Sequence, residues 1–137
     1  MTLEEIEQVE KRLTIQLTNT YKEFQLNYPA ELIELNLHEE YFIHNSDYLI
    51  EINEMLRSGG LPHDYLVIGN DMAGNYYFMN INDLEPLVYY MDHDANYDTD
   101  GDDFSSWEEV IEKYFTVEFE DLQQFSKWLV YFYSRQR

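Results

Sequence analysis

The sequence predicts an α+β fold: a mostly antiparallel sheet with a central meander, packed against N-terminal, middle and C-terminal helices. Three observations predict it. Apolar residues recur at helical spacing behind capping signals near both ends and in the middle of the chain. Between residues 64 and 91 the period changes to three short apolar runs separated by turns rich in Gly, Asn and Asp. Finally, 137 residues that are 45% hydrophobic and 17% aromatic are enough for one core and one domain, whereas a disordered chain would be poorer in aromatics.

Thr2 followed by Glu5 fits a capping box, and Leu3, Ile6, Val9 and Leu13 then mark a helix over 3–13. Thr20 with Glu23 suggests a second box, opening a short helix faced by Tyr21, Phe24 and Tyr28 and stopped by Pro29. Residues 31–37, ELIELNL, favour a strand, and HEEYFIHN reads as strand or turn. Ser46 or Asp47 caps the next helix. Its buried stripe is Leu49, Ile52, Met55 and Leu56, and Ser58-Gly59-Gly60 ends it.

The runs DYLVI (64–68), NYYFMNI (75–81) and LVYYM (87–91), joined by GNDMAGN and NDLEP, form the meander. After an acidic loop, Ser105 with Glu108, or Ser106 with Glu109, caps a helix faced by Trp107, Val110, Ile111, Tyr114 and Phe115. TVEFE reads as a short strand. Asp121 with Gln124 begins the last helix, 121–135, with Leu122, Phe125, Trp128, Leu129 and Phe132 inward. There is no internal repeat and no linker.

Charge narrows the function. Eight Lys and Arg against 28 Asp and Glu give a net charge of −20. Residues 58–112 hold thirteen carboxylates and neither Lys nor Arg. Such a surface repels nucleic acid and anionic membranes and speeds encounter with a basic partner; solubility alone is the competing reason for it. With no Cys there is no disulfide or thiol chemistry. MTLEEIEQVEKRL lacks the basic flank and apolar run of a signal peptide, and no apolar run reaches the length of a membrane span. The expectation is a soluble cytoplasmic protein.

Acidity is densest in residues 92–109, DHDANYDTDGDDFSSWEE. Placing Gly101 at the sixth position of an EF-hand loop puts Asn96, Asp98, Asp100 and Asp102 on ligand positions. The twelfth position, which needs a bidentate Glu, is then Trp107, with Glu108 one residue late; the eighth is Asp103, and the run before the loop reads as a strand. These four residues are weak calcium candidates, and the sequence assigns no metal and no cofactor.

His93 between Asp92 and Asp94 gains basicity rather than a tetrahedral zinc site. His38, His44 and His63 lack metal spacing, so all four read as surface histidines. No GxSxG, phosphate loop, HExxH or Cys-His pattern is present, so the expectation is not an enzyme. GNDMAGN lacks the Lys of a phosphate site and reads as a hairpin turn whose glycines allow positive φ. Alternation sends one set of Tyr76, Tyr77, Phe78, Tyr89 and Tyr90 to the core and the other to solvent, a helix or a partner. A tyrosine-rich acidic face makes Asp71, Tyr76, Tyr89, Asp92, Asp94, Asp98, Asp100, Asp102 and Asp103 the candidate partner contacts.

Four segments resemble a known family: IEQVEKRLTIQLTNTYKEF, DYLVIGNDMAGNYYFMNI, LVYYMDHD and FSSWEEVIEKYF. In order and spacing they are similar to the SUKH superfamily, bacterial immunity proteins related to fungal cell-wall synthesis regulators. Thr18 and Asn27-Tyr28 stand where that family usually has Pro and Gly around its second helix. The resemblance implies a single domain over 1–137, with a core of about 3–115 and an additional C-terminal helix. It also implies a non-enzymatic binding protein that neutralises a cognate toxin, often a nuclease, by occlusion. An acidic protein suits that task, because a nuclease holds phosphate in a cationic cleft. A scaffold or regulator of the same fold is the alternative, and a calcium-binding protein through residues 96–108 a third.

Overall fold

The computed structural model describes residues 1–91 and 107–135. Helix α1 (Leu3–Leu13) opens with the predicted capping box: the Glu5 amide donates to Thr2 Oγ1 at 3.1 Å and the Thr2 amide to Glu5 Oε1 at 2.8 Å. The cap of α2 (Asn19–Leu26) is Thr18 rather than Thr20. Thr18 is extended and its hydroxyl accepts from the Tyr21 amide, while the Thr20 hydroxyl donates to the Leu84 carbonyl at 3.0 Å. Asn27 closes the helix by donating Nδ2 to the Glu23 carbonyl at 3.0 Å. Polar side chains, Thr18 and Asn27, thus cap both ends of α2. Tyr28 lies beyond the helix and stacks on His44.

Segment 31–37 is not a strand. Ala30–Glu34 forms a short helix, α3, entered from Pro29. It ends in a Schellman turn: Asn36 is left-handed (φ 61°), and the Leu37 amide reaches back to the Leu32 carbonyl at 2.8 Å. Leu32 and Leu37, both buried, make the apolar contact that accompanies this turn. Residues 35–45 continue as turns and irregular backbone.

Helix α4 (Ser46–Ser58) is capped one residue earlier than expected, by Asn45, whose Oδ1 accepts from the Tyr48 amide at 3.0 Å. Its buried face is Leu49, Ile50, Ile52 and Asn53. Met55, expected in that stripe, is 55% exposed. The left-handed residue of its C-terminal turn is Gly60 (φ 109°), with the Leu61 amide on the Leu56 carbonyl at 3.0 Å. Trp107 closes over this turn, its indole N–H donating to the Gly59 carbonyl at 3.1 Å.

Strands β1 (Tyr65–Asn70), β2 (Tyr76–Asn80) and β3 (Val88–Met91) form the predicted antiparallel meander. TVEFE extends it: after helix α5 (Trp107–Tyr114), β4 (Phe115–Phe119) pairs with β3, giving the order β1-β2-β3-β4. Phe115 therefore belongs to the sheet and not to the helix face. Ser105 and Ser106 lie outside the described residues. Helix α6 (Leu122–Ser134) is capped by Asp121, which accepts from the Gln124 amide at 2.7 Å. It buries Leu122, Phe125 and Leu129 as expected, but Trp128 and Phe132 stack on each other along a flank that is 36% and 40% exposed.

Both faces of the β1–β3 meander carry packed side chains, whereas residues 116–118 of β4 are exposed. Tyr77 packs on Phe125 (4.6 Å between rings), which stacks in turn on Phe42 and, through it, on Phe24. Its neighbour Phe78 points the other way, onto Phe115 (4.6 Å) and Trp107. Alternation thus divides the aromatics as the sequence suggests, and the second set meets α5 and β4.

As an edge strand, β1 leaves a row of peptide groups unpaired by the sheet. Asn53 of α4, fully buried, takes the place of a neighbouring strand. Its Oδ1 accepts from the Val67 amide at 2.8 Å and its Nδ2 donates to the Val67 carbonyl at 3.0 Å. One turn further along α4, Arg57 donates to the Tyr65 carbonyl at 2.9 Å. Beyond Val67, the Ile43 amide donates to Ile68 and the Asn70 amide to Glu40. The chain at residues 40–41 lies so close that a Cβ on Gly69 would collide with the Tyr41 carbonyl. Gly69 is extended, so its requirement is space and not φ; only Gly74 of the turn's glycines uses a positive angle (88°).

Replacing Asn53 with Leu keeps the volume but strands both Val67 peptide groups. The expected loss is about 2–4 kcal/mol of stability in denaturant unfolding, with faster hydrogen exchange at the Val67 amide. A loss below about 1 kcal/mol would show that the edge has another source of partners.

Candidate functional site

The solvent-facing side of α4 and the β1–β2 hairpin enclose a groove of about 280 Å³. Helix spacing builds one wall: Tyr48, Glu51 and Met55 follow one another three and four residues apart. The other wall is the hairpin tip, with Met72 and Gly74, and Tyr76 at the start of β2. Ile52 and Asn70, both buried, form the floor, and Glu40 closes one side. Asn70 ties the walls together: Nδ2 donates to the Tyr48 hydroxyl at 3.3 Å and Oδ1 accepts from the Met72 amide at 2.9 Å. Burial raises the pKa of Tyr48, and the negative field of Glu40 is the next cause.

Asp71, a predicted partner contact, holds this hairpin. Its carboxylate accepts from the Ala73 and Asn75 amides, the Asn75 side chain and the Tyr90 hydroxyl, at 2.8–3.2 Å. Burial alone would raise its pKa, but these bonds outweigh it and hold the carboxyl below the ordinary range. Tyr76 reaches the groove. Tyr89 does not: it packs edge-on to Tyr65 and beside Phe115 on the α5 side of the sheet. Asp92, Asp94, Asn96, Asp98, Asp100, Asp102 and Asp103, and His93 with them, lie outside the described residues.

The element entering that acidic segment is β3, a strand, and Trp107, at the twelfth loop position, is buried against Gly60. Among the described residues no group of three or more His, Asp or Glu could hold a metal ion. Sequence reasoning missed Glu40, Tyr48, Glu51, Met55 and Met72. The outward spacing on α4 and a Met within a polar turn were the signals that could have found them.

The histidines are not all surface residues. His44 is half-buried beneath Tyr28, with ring centroids 4.1 Å apart. Its Nδ1 is 2.9 Å from Oε1 of the fully buried Gln25, whose Nε2 donates to Tyr21 and to the Ile43 carbonyl. Burial, reinforced by the amine of Met1 at 3.1 Å, lowers the His44 pKa to about 4. His63 bridges elements, with Nε2 2.8 Å from the Thr14 carbonyl and Nδ1 3.1 Å from Arg57.

The fold and the groove define a small, acidic α+β module with helices on both faces of a four-stranded antiparallel sheet. Residues 1–110 match the model of the SMI1 / KNR4 family (SUKH-1), and the chain belongs to that family. No curated protein and no solved structure matches it. The family match ends within α5, yet α6 beyond it fills the same core through Phe125 and Leu129. Among the described residues no helix is long and apolar enough to cross a membrane.

Two predictions follow from these environments. Met72 is left-handed (φ 67°), a conformation that Asn tolerates and Met does not. Met72→Asn should gain about 0.5–1 kcal/mol in thermal or chemical unfolding; a loss would mean that the methionine side chain contributes more in the groove than its backbone costs. His44 is held neutral in the fold, so its contribution is complete above the unfolded value near 6.5 and fades as pH falls toward 4. Allowing for solvent screening of a half-exposed ring, that contribution is about 1–2 kcal/mol. It is measured as the difference in pH dependence between the wild type and His44→Asn, in which carboxylate titration cancels. Parallel pH profiles would refute it.

Proposed function

We propose that this chain is an immunity-type binding protein, without enzymatic activity, that neutralises a cognate basic toxin domain in the cytoplasm by covering its active cleft. The observation that carries the reading is a net charge of −20 with no Lys or Arg in residues 58–112, in a member of the SMI1 / KNR4 family (SUKH-1). A toxin that grips phosphate needs a cationic cleft, and an acidic protein competes for that cleft directly. Family membership alone is equally compatible with a regulatory scaffold; the extreme acidity favours the toxin.

The test is co-purification with a basic toxin domain, sought first among the genes next to this one, followed by inhibition assays over a salt series. The expected outcome is a stoichiometric complex that abolishes toxin activity, with Kd weakening at least tenfold between low salt and about 0.5 M salt as the charges are screened. A complex indifferent to salt would remove the electrostatic mechanism. Absence of any complex would favour the scaffold.

A further inference from the structure

We propose that the groove between α4 and the β1–β2 hairpin is the anchor point of the partner interface and seats an arginine side chain of the partner. Its guanidinium would lie by the Glu40 and Glu51 carboxylates, with its flat face against Tyr48 and Tyr76. The inference rests on the proposed function for the existence of a basic protein partner, but the site follows from the groove itself.

Charge complementarity names the occupant. Neither Glu40 nor Glu51 has a side-chain hydrogen bond or ion pair among the described residues, in contrast to Asp71, whose carboxylate is fully engaged. The cations near α4 are committed elsewhere: Arg12 pairs with Glu54 at 3.0 Å, and Arg57 donates to the His63 and Tyr65 carbonyls. The groove therefore presents unneutralised negative charge beside aromatic rings. That combination suits a guanidinium, which donates to carboxylates at its edge and stacks rings on its face. Two carboxylates among apolar walls do not suit calcium, which takes six to eight oxygens.

Size and texture agree. At about 280 Å³ the groove lies at the lower edge of the range for ligand clefts, which fits one long side chain better than a cofactor. Met55 and Met72, 55% and 59% exposed, border it with soft, adaptable surface that fits the aliphatic stem of an arginine and the residues flanking it.

The probe is Nα-acetyl-arginine N-methylamide, titrated into protein carrying ¹³C-methyl methionine, with the citrulline analogue as a neutral control of nearly the same shape. The methyls of Met55 and Met72 should shift saturably at millimolar arginine derivative, while those of the buried Met79 and Met91 stay still. Citrulline should bind at least tenfold more weakly, as should arginine to the Glu40→Gln/Glu51→Gln variant, whose substitutions leave the core untouched. Unmoved Met55 and Met72 methyls, or equal binding of citrulline, would overturn the inference. So would a toxin complex of unchanged affinity in the double variant, and in that case the immunity reading stands. Arginine binding in the groove without association of any neighbouring toxin would sustain the site and overturn the immunity reading instead.

Discussion

The outer edge of β1 offers amides and carbonyls that the sheet cannot pair, and satisfying them fixes how α4 lies. Asn53 and Arg57 are one turn apart, so meeting the Val67 and Tyr65 peptide groups with both sets the rotation of the helix about its axis. Once that side faces the strand, Tyr48, Glu51 and Met55 face outward and overhang the hairpin. The groove is thus a geometric consequence of capping the edge. The same constraint reaches the irregular segment before α4, whose residues 40 and 43 complete the row of bonds. Gly69 follows from it as well, because that segment can approach only a strand residue without a side chain. An edge closed this way is also closed to another chain, which removes the commonest route to edge-to-edge association on that side of the sheet.

What the sequence disclosed and what it concealed divide along the range of the interactions. The caps at Thr2 and Asp121, the meander and the glycine stop after α4 depend on residues within a few positions of one another, and all are legible. ELIELNL misled because its apolar residues fall at 32, 33, 35 and 37, spacing that serves a loose strand as well as a single helical turn. The deciding signal was Asn36 in the left-handed position, with Leu37 folding back on Leu32. Met55, Trp128 and Phe132 lie at helical spacing from true core residues. All three are nevertheless exposed, because burial depends on what packs against a helix face, which no local pattern records. Asp71 and Tyr89 suit partner contacts by type; both are half-buried, the one engaged in hydrogen bonds within its hairpin and the other packed against Tyr65 and Phe115. The buried amides Gln25 and Asn53 are hard to read from the sequence, since beside one partner four residues back each reaches a backbone group that only the fold brings near, the Ile43 carbonyl and the Val67 peptide groups.

The distribution of charge follows a related logic. Lys22, Arg12 and Lys113 pair with Glu10, Glu54 and Glu109, all on helices. The hairpin tip and the groove receive none of this neutralisation. A chain at −20 repels itself, and its core of aromatic and aliphatic side chains must offset that repulsion. A partner that brings cations gains twice: from its own attraction and from relief of a repulsion already present in the free protein. Exposed carboxylates contribute mainly to the rate of encounter, because water and salt screen them once contact is made. Glu40 and Glu51 differ in having aromatic and apolar walls beside them. An arginine seated there would be partly desolvated, and its loss would speed dissociation rather than slow association. On the proposed reading, diffuse acidity governs how quickly a toxin is met and the groove governs how long it is held.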